Sequence, residues 1–224
     1  QQAPGYQLYP FSDLKHYDAL LQDLEAIATQ GGTLFTLDPK NPHSSVEQRW
    51  MIERLNGAKP ALKAAWEDIS EFVAMMRRKK DMGEIEKLYK AVEITILAQG
   101  AAAQAIGDGI RESEVQASLE YMFTGSGARP AFASIVGSGK NSTVLHYNAN
   151  TQMLKNGQMV VVDIGAQLDG YCADLTRTYP VSGSFTKRQR EIYQLVLECQ
   201  EYIAGLAKPG MWLNNSQKPE QSLH

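Results

Sequence analysis

The segments Gln158-Met159-Val160-Val161-Val162-Asp163-Ile164-Gly165 and Tyr171-Cys172-Ala173-Asp174-Leu175-Thr176-Arg177-Thr178 decide the fold. The first is an apolar β-branched run with a carboxylate near its end, and the second carries another carboxylate. Gln167-Leu168-Asp169-Gly170 between them reads as a hairpin connection. In an even loop centred between Leu168 and Asp169, Asp163 and Asp174 stand directly opposite each other, with Cβ atoms roughly 5 Å apart on one face. A type I′ turn centred on Asp169-Gly170 pairs Asp163 with Thr176 instead. Two carboxylates that close repel unless a proton or a cation lies between them, so the hairpin reads as built to hold metal.

The bland alternative is a pair of ordinary polar residues at a sheet edge. Aspartate is depleted in strands, and Asp163 follows three consecutive valines, which weakens that alternative. The pair alone is not a complete site, because Mg2+ or Mn2+ takes further oxygen ligands. Thr176 shares the face of Asp174 and is placed to orient it, while Arg177, the nearest cation in sequence, points to the other face.

Outward from the hairpin, Thr186 caps an amphipathic helix to about Ala207, with Ile192, Leu195, Val196, Cys199 and Ile203 on one side. Upstream, Phe132–Val136 and Val144–Tyr147 read as short strands, and Asn156-Gly157 as a turn. Gly137-Ser138-Gly139-Lys140-Asn141 lacks both the GxxxxGK[ST] and GxGxxG patterns, so no phosphate loop is expected. Asp81 caps the longest helical pattern, Glu84 to about Ile106, whose alanine-rich middle with Gly100 suits close packing on a sheet. Ser113 with Glu114 opens a helix to about Phe123, and Thr124–Gly127 reads as a flexible connection. Earlier still, Ser12-Asp13 caps a helix, Thr33–Leu37 is a strand, and Asp38-Pro39 opens a loop. A helix runs from Ser44-Ser45 to about Leu55, stopped by Asn56-Gly57. A third runs from Pro60 to about Arg78, and its basic end answers the helix dipole.

The 224 residues carry a net charge of −3 and 43% hydrophobic residues, values of a soluble globular protein with no pull toward nucleic acid or a membrane surface. No apolar stretch approaches the ~18–20 residues that span a bilayer. No signal peptide is visible at Gln1–Gly5. Cys172 and Cys199 form no metal or disulfide framework, and both are expected to be buried thiols of a cytoplasmic protein. His146 stands on the strand-like Val144–Tyr147, where it is either a satisfied structural residue or, beside the metals, a proton shuttle or a substrate contact. His16, His43 and His224 have no constellation around them. Ser134, Ser138 and Ser142 lack the Gly-x-Ser-x-Gly setting of a serine hydrolase.

Taken together, Phe132–Val136, Leu145–Tyr147, Val162–Ala166, Gly170-Tyr171 and Asp174–Gly183 resemble the Xaa-Pro aminopeptidase (aminopeptidase P)/prolidase family of pita-bread metallopeptidases. Phe185–Tyr193 is closest to the aminopeptidase P branch, and the likeness covers roughly residues 75–212. It implies an α+β fold. Residues 76–224 would form the first half of the pita bread, an antiparallel sheet with covering helices. Residues 1–75 would be the C-terminal remnant of an α/β N-terminal domain with a linker helix.

The resemblance further implies removal of the N-terminal residue from peptides with proline second, by two divalent metal ions, usually Mn2+ and sometimes Co2+ or Zn2+. Of the family's five metal ligands (Asp, Asp, His, Glu, Glu), Asp163 and Asp174 match the first two. His146 matches its substrate-facing catalytic histidine. The expected partner is a peptide with an Xaa-Pro N-terminus, with no nucleic acid or membrane, and a homo-oligomer is left open. The remaining ligands would lie beyond position 224, so the chain is expected to be an incomplete fragment, inactive alone and weak in metal binding. An Xaa-Pro dipeptidase or creatinase relative is the enzyme alternative. A non-catalytic pita-bread binding module is the other, disfavoured because it has no need of two facing carboxylates.

Overall fold

The computed structural model describes residues 17–37 and 46–209. The chain divides into two compact units, one ending at Lys80 and one beginning at Asp81. In the first, helix α1 (Tyr17–Thr29) leads to strand β1 (Leu34–Thr36), helix α2 (Val46–Ala58), a 3-10 helix (Pro60–Ala64), strand β2 (Trp66–Asp68) and helix α3 (Ser70–Arg78). Strands β1 and β2 pair in parallel, Leu34 opposite Trp66. Leu34, Leu55 and Leu62 form the small core beside them.

Two sequence expectations change here. The single helix from Pro60 to Arg78 is a 3-10 turn, a strand and a shorter helix, so the unit holds two strands rather than one. Trp66–Asp68 finds its hydrogen-bond partners in β1, and pairing with a distant segment overrides local helical preference. Asn56-Gly57 does not stop α2. That helix continues to Ala58 and ends at Lys59, which the following Pro60 holds in extended geometry at φ −137°. The basic Arg77-Arg78 does close α3 as expected. The readings at Ser12-Asp13, Asp38-Pro39 and Ser44-Ser45, and those at Gln1–Gly5, His16, His43 and His224, lie outside the described residues.

The second unit holds helices α4 (Met82–Ala105) and α5 (Glu112–Gly125), strands β3 (Arg129–Pro130) and β4 (Ile135–Ser138), then β5 (Met159–Ile164), β6 (Ala166–Leu168), β7 (Tyr171–Cys172) and β8 (Leu175–Pro180), and helix α6 (Lys187–Leu206). Helices α4 and α6 begin with reciprocal caps, Asp81 with Glu84 and Thr186 with Gln189, as the sequence predicts. The strands form two antiparallel three-stranded sheets, ordered β4-β5-β8 and β3-β6-β7.

Strand β5 alternates strictly. Val160, Val162 and Ile164 are fully buried with Ala98 and Ala102 of α4 and Val115, Leu119 and Phe123 of α5. Met159, Val161 and Asp163 face the other side and are half-buried. Two packed layers thus leave one sheet face for the core and one for a site.

Further differences bear on that site. The strand expected at Phe132–Val136 begins later, at Ile135, and runs to Ser138. Val144–Tyr147 is not a strand. A 3-10 helix, Gly139–Thr143, runs into a turn in which His146 takes a left-handed φ of 56°. Gly100 is exposed rather than packed on the sheet, while Ala98 and Ala102 do pack there. Cys172 and Cys199 are both exposed, against expectation. Cys172 sits in a two-residue strand beside the hairpin turn, and Cys199 belongs to a helix with no buried residue.

Candidate metal centre

The hairpin register follows from its turn. Asp169 and Gly170 have φ of 50° and 86°, the paired positive values of a type I′ turn. Leu168 therefore pairs with Tyr171 and Gln167 with Cys172. Further along, Ile164 pairs with Leu175 and Asp163 with Thr176. The directly opposed Asp163–Asp174 pairing is thus corrected: the Asp-Gly turn chemistry sets the register two residues away. Asp174, two residues before Thr176, still falls on the same face as Asp163.

Gly165 and Asp174 lie between the two paired stretches, where the chain passes from one sheet to the other. No side chain fits at Gly165. A Cβ there would overlap the Ala173 carbonyl oxygen and lie 2.8 Å from its carbon and 2.9 Å from Phe132 Cε1. The backbone groups freed near this crossing are met by α4. Ala166 N donates to Thr95 Oγ1 at 2.9 Å. Gln99 Nε2 donates to the carbonyls of Val162 and Leu175 at 3.1 and 2.7 Å, and Tyr179 OH donates to Gln99 Oε1 at 3.0 Å. Unpaired buried backbone groups are costly, so these two α4 side chains keep the kink tolerable.

Thr176 Oγ1 donates to Asp163 Oδ1 at 2.6 Å, so this hydroxyl orients Asp163 rather than Asp174. Asp174 is held above the usual carboxylate range by partial desolvation of its carboxyl group, then by the Asp163 charge and a hydrogen bond with Asp163. The two carboxylates are close enough to compete for one proton. Arg177 does not neutralise them, since its guanidinium donates to the Thr176 carbonyl at 2.7 Å. Among the described residues no third His, Cys, Asp or Glu joins the pair. The arrangement is an all-oxygen half-shell that a divalent cation would stabilise.

Beside it, an open cavity of about 430 Å3 lies between the β5–β8 ladder and α6, lined by Met159, Thr176, Thr178, Ile192 and Tyr193 among others. His146 is exposed on its turn, next to Leu145 at 90% exposure. Among the described residues it makes no hydrogen bond or ion pair, with the aspartates or with any other group. Gly165, Thr95, Gln99 and the buried Glu112 received no role from the sequence. Their signals were faint: a glycine ending a valine run, and polar residues four apart on helices otherwise read by their apolar faces.

The model of metallopeptidase family M24 matches residues 86–217, more than half of the chain. The chain belongs to metallopeptidase family M24. Within it, an Xaa-Pro aminopeptidase of Escherichia coli is 38% identical over 75% of this chain and 38% of that protein. An Xaa-Pro dipeptidase of Pyrococcus furiosus is 42% identical over 64% of this chain and 41% of that protein. Among solved structures, proline aminopeptidase P II of Yersinia pestis superposes with a TM-score of 0.76 at 28% identity, covering 89% of this chain and 47% of that one. Zn-substituted E. coli aminopeptidase P in complex with product gives 0.76 at 29% identity, covering 91% and 47%. The chain spans less than half the length of each of these M24 relatives. The antiparallel sheets with covering helices expected from the sequence are the pita-bread arrangement of these aminopeptidases. Among the described residues no helix is long and apolar enough to cross a membrane.

Proposed function

We propose that this chain is part of a dinuclear metal-dependent aminopeptidase that releases the N-terminal residue from peptides with proline in the second position. Asp163 and Asp174 are its metal ligands, and His146 meets the substrate. The observation that carries this reading is the aspartate pair, two carboxylates gathered at a glycine-enforced kink with no cation among the described residues to answer their repulsion. Family membership and Xaa-Pro aminopeptidase relatives support it.

An all-oxygen pair fits hard divalent ions, Mn2+ first, with Co2+ or Zn2+ as alternatives. Bound there, such ions would polarise the scissile carbonyl and make water nucleophilic near neutral pH. The residues of this chain hold and orient. Thr176 fixes the Asp163 carboxylate, Gly165 lets the chain bring Asp174 beside it, and Gln99 pins the strands on either side. The exposed His146 is free to hydrogen-bond a peptide or move a proton at its imidazole. Two carboxylates fill only part of the coordination, and the other ligands come from donors outside the described residues. In this reading residues 1–75 belong to an N-terminal domain and 76–224 to the catalytic domain of a cytoplasmic enzyme, monomeric or self-associated.

An Xaa-Pro dipeptidase is the second reading, favoured by the 42% identity to the P. furiosus dipeptidase. A single experiment separates them. The complete protein is stripped with chelator, reloaded with Mn2+, and offered an Xaa-Pro dipeptide and a longer peptide with the same start. Preferential cleavage of the longer peptide, restored by metal and abolished by Asp163→Ala and by Asp174→Ala, is the expected result. Activity that persists in both variants would overturn the assignment.

A further inference from the structure

Glu112, at the start of α5, is fully buried, and among the described residues no cation stands beside it. Five donors converge on its carboxylate. Ser138 N and Ser138 Oγ reach Oε1 at 2.7 Å each, and Asn141 Nδ2 reaches it at 3.2 Å. Tyr147 OH and Gln152 N reach Oε2 at 2.7 and 2.9 Å. Burial pushes this carboxyl up, but the donors outweigh it and hold Glu112 below the ordinary carboxylate range. The donors come from residues 138, 141, 147 and 152, so one carboxylate ties down both arms of the segment that carries His146. Tyr147, the next residue, is a hub in its own right, since its hydroxyl also accepts from Asn141 Nδ2 at 2.9 Å and Thr151 N at 3.3 Å.

The anchoring continues along the same face of α5, one turn and two turns on. Asn150, 1% exposed and in left-handed geometry, donates to Gln116 Oε1 at 2.9 Å and to the Ser134 carbonyl at 2.8 Å. Its side-chain oxygen Oδ1 accepts from Val136 N at 3.0 Å. Ser134 Oγ donates to Glu120 Oε1 at 2.8 Å. Residues 112, 116 and 120 thus form a polar stripe beside the apolar one of Val115, Leu119 and Phe123. His146, by contrast, has no hydrogen bond or ion pair among the described residues, so its position there is set by its neighbours' ties.

We propose that Glu112 is a positioning residue for His146, fixing the turn that presents this histidine to substrate, and that the site requires a carboxylate. The requirement follows from the donors. Ser138 N–H faces one carboxyl oxygen and Gln152 N–H the other, and neither backbone group can turn round. An amide at this position sets its NH2 against one of them in either orientation. This inference rests on the His146 role given under the proposed function, whereas the anchoring of the segment stands apart from it.

The test is a cycle of Glu112→Gln, His146→Ala and the double variant in the complete, metal-loaded protein, together with amide hydrogen exchange. Glu112→Gln is expected to speed exchange in residues 139–152 and leave β5–β8 protected. It should also lower kcat about 10- to 100-fold with KM little changed. In the His146→Ala background the same change should cost little more, because both act through one group. Losses that multiply, or an unchanged kcat, would overturn the positioning role. If His146→Ala alone costs nothing, the histidine reading fails instead. Exchange in 139–152 that does not respond would sink the anchor itself. Should Glu112→Gln not fold, Tyr147→Phe, which keeps the carboxylate and four of its donors, is held to the same outcomes.

Discussion

Replacing Gly165 with alanine tests whether the kink that assembles the aspartate pair is sterically enforced. The new methyl would overlap the Ala173 carbonyl oxygen and lie 2.8 Å from its carbon, and the obstacle is backbone rather than a flexible side-chain end. Restoring ordinary separations of about 3.5–4.0 Å from the carbon, and clearing the more severe overlap with the oxygen, demands a shift of more than roughly 1 Å in the strand that continues into Asp174. Overpacking of this kind costs about 1–3 kcal/mol, and the upper end is expected where the backbone must move. For a chain of this size that is a fall in Tm of roughly 6–12 °C. The same shift moves one carboxylate relative to the other, so Mn2+ affinity in the complete protein should fall about 10- to 100-fold, as when a ligand's supporting contacts are removed. Gly100→Ala is the matched control, since nothing lies within 4 Å of that position in mid-α4. It should stabilise by about 0.5–1 kcal/mol and leave metal binding alone. Thermal melts and metal titration of both variants decide the matter. A Gly165→Ala protein as stable as the parent, with unchanged affinity, would show that Ala173 yields freely and that the kink is not held by sterics.

Three further outcomes are expected. Thr176→Val removes the 2.6 Å hydrogen bond to Asp163 on an exposed strand position, so stability should stay within about 0.5 kcal/mol while metal affinity drops about tenfold, read by competition with a chromogenic chelator. Asp174→Asn should raise the melting temperature of the chelated chain at neutral pH and abolish its stabilisation by metal. The sign follows from the raised folded pKa, whose contribution is present below the unfolded value and lost as pH rises through the folded one. Glu112 has the opposite sign. Its lowered pKa contributes stability that is present above the unfolded value and lost as pH falls through the folded one. The stability gap between the parent and Glu112→Gln, about 3 kcal/mol or more at neutral pH for a buried carboxylate with five donors, should therefore narrow in acid, as followed by urea melts across pH.

What could be read from the sequence, and what could not, divides along the range of the interactions involved. The caps of α4 and α6 were legible because Asp81 and Thr186 bond to residues three positions on. The parallel pairing of β2 with β1 was not, because the partner of Trp66 is Leu34 and nothing near Trp66 announces it. His146 was placed on a strand for a related reason. The β-branched and aromatic residues of Val144–Tyr147 suit a strand, but ties from Glu112 to Ser138, Asn141 and Tyr147 coil the segment into a 3-10 helix and turn. The burial expected of the cysteines was a composition argument, blind to their places in a marginal two-residue strand and on a helix that buries nothing.

The aspartate pair shows why a partly wrong register still left the candidate site recognisable. Side chains alternate faces with a period of two, so an error of two residues in the partner of Asp163 changes which residue stands opposite but not which face it is on. Thr176 takes the opposed place and supplies a hydrogen bond, while Asp174 stays on the same face. An error of one residue would have sent Asp174 to the buried side, among Val160, Val162 and Ile164, where an ionised carboxylate would meet no water. The information that selects between these registers is the Asp169-Gly170 dipeptide, whose positive φ values belong to a type I′ turn. Parity protects the face, and the turn then sets the partner. What neither could supply is the steric reason for the gap at Gly165, because the carbonyl that excludes a side chain there belongs to Ala173, on the strand that returns.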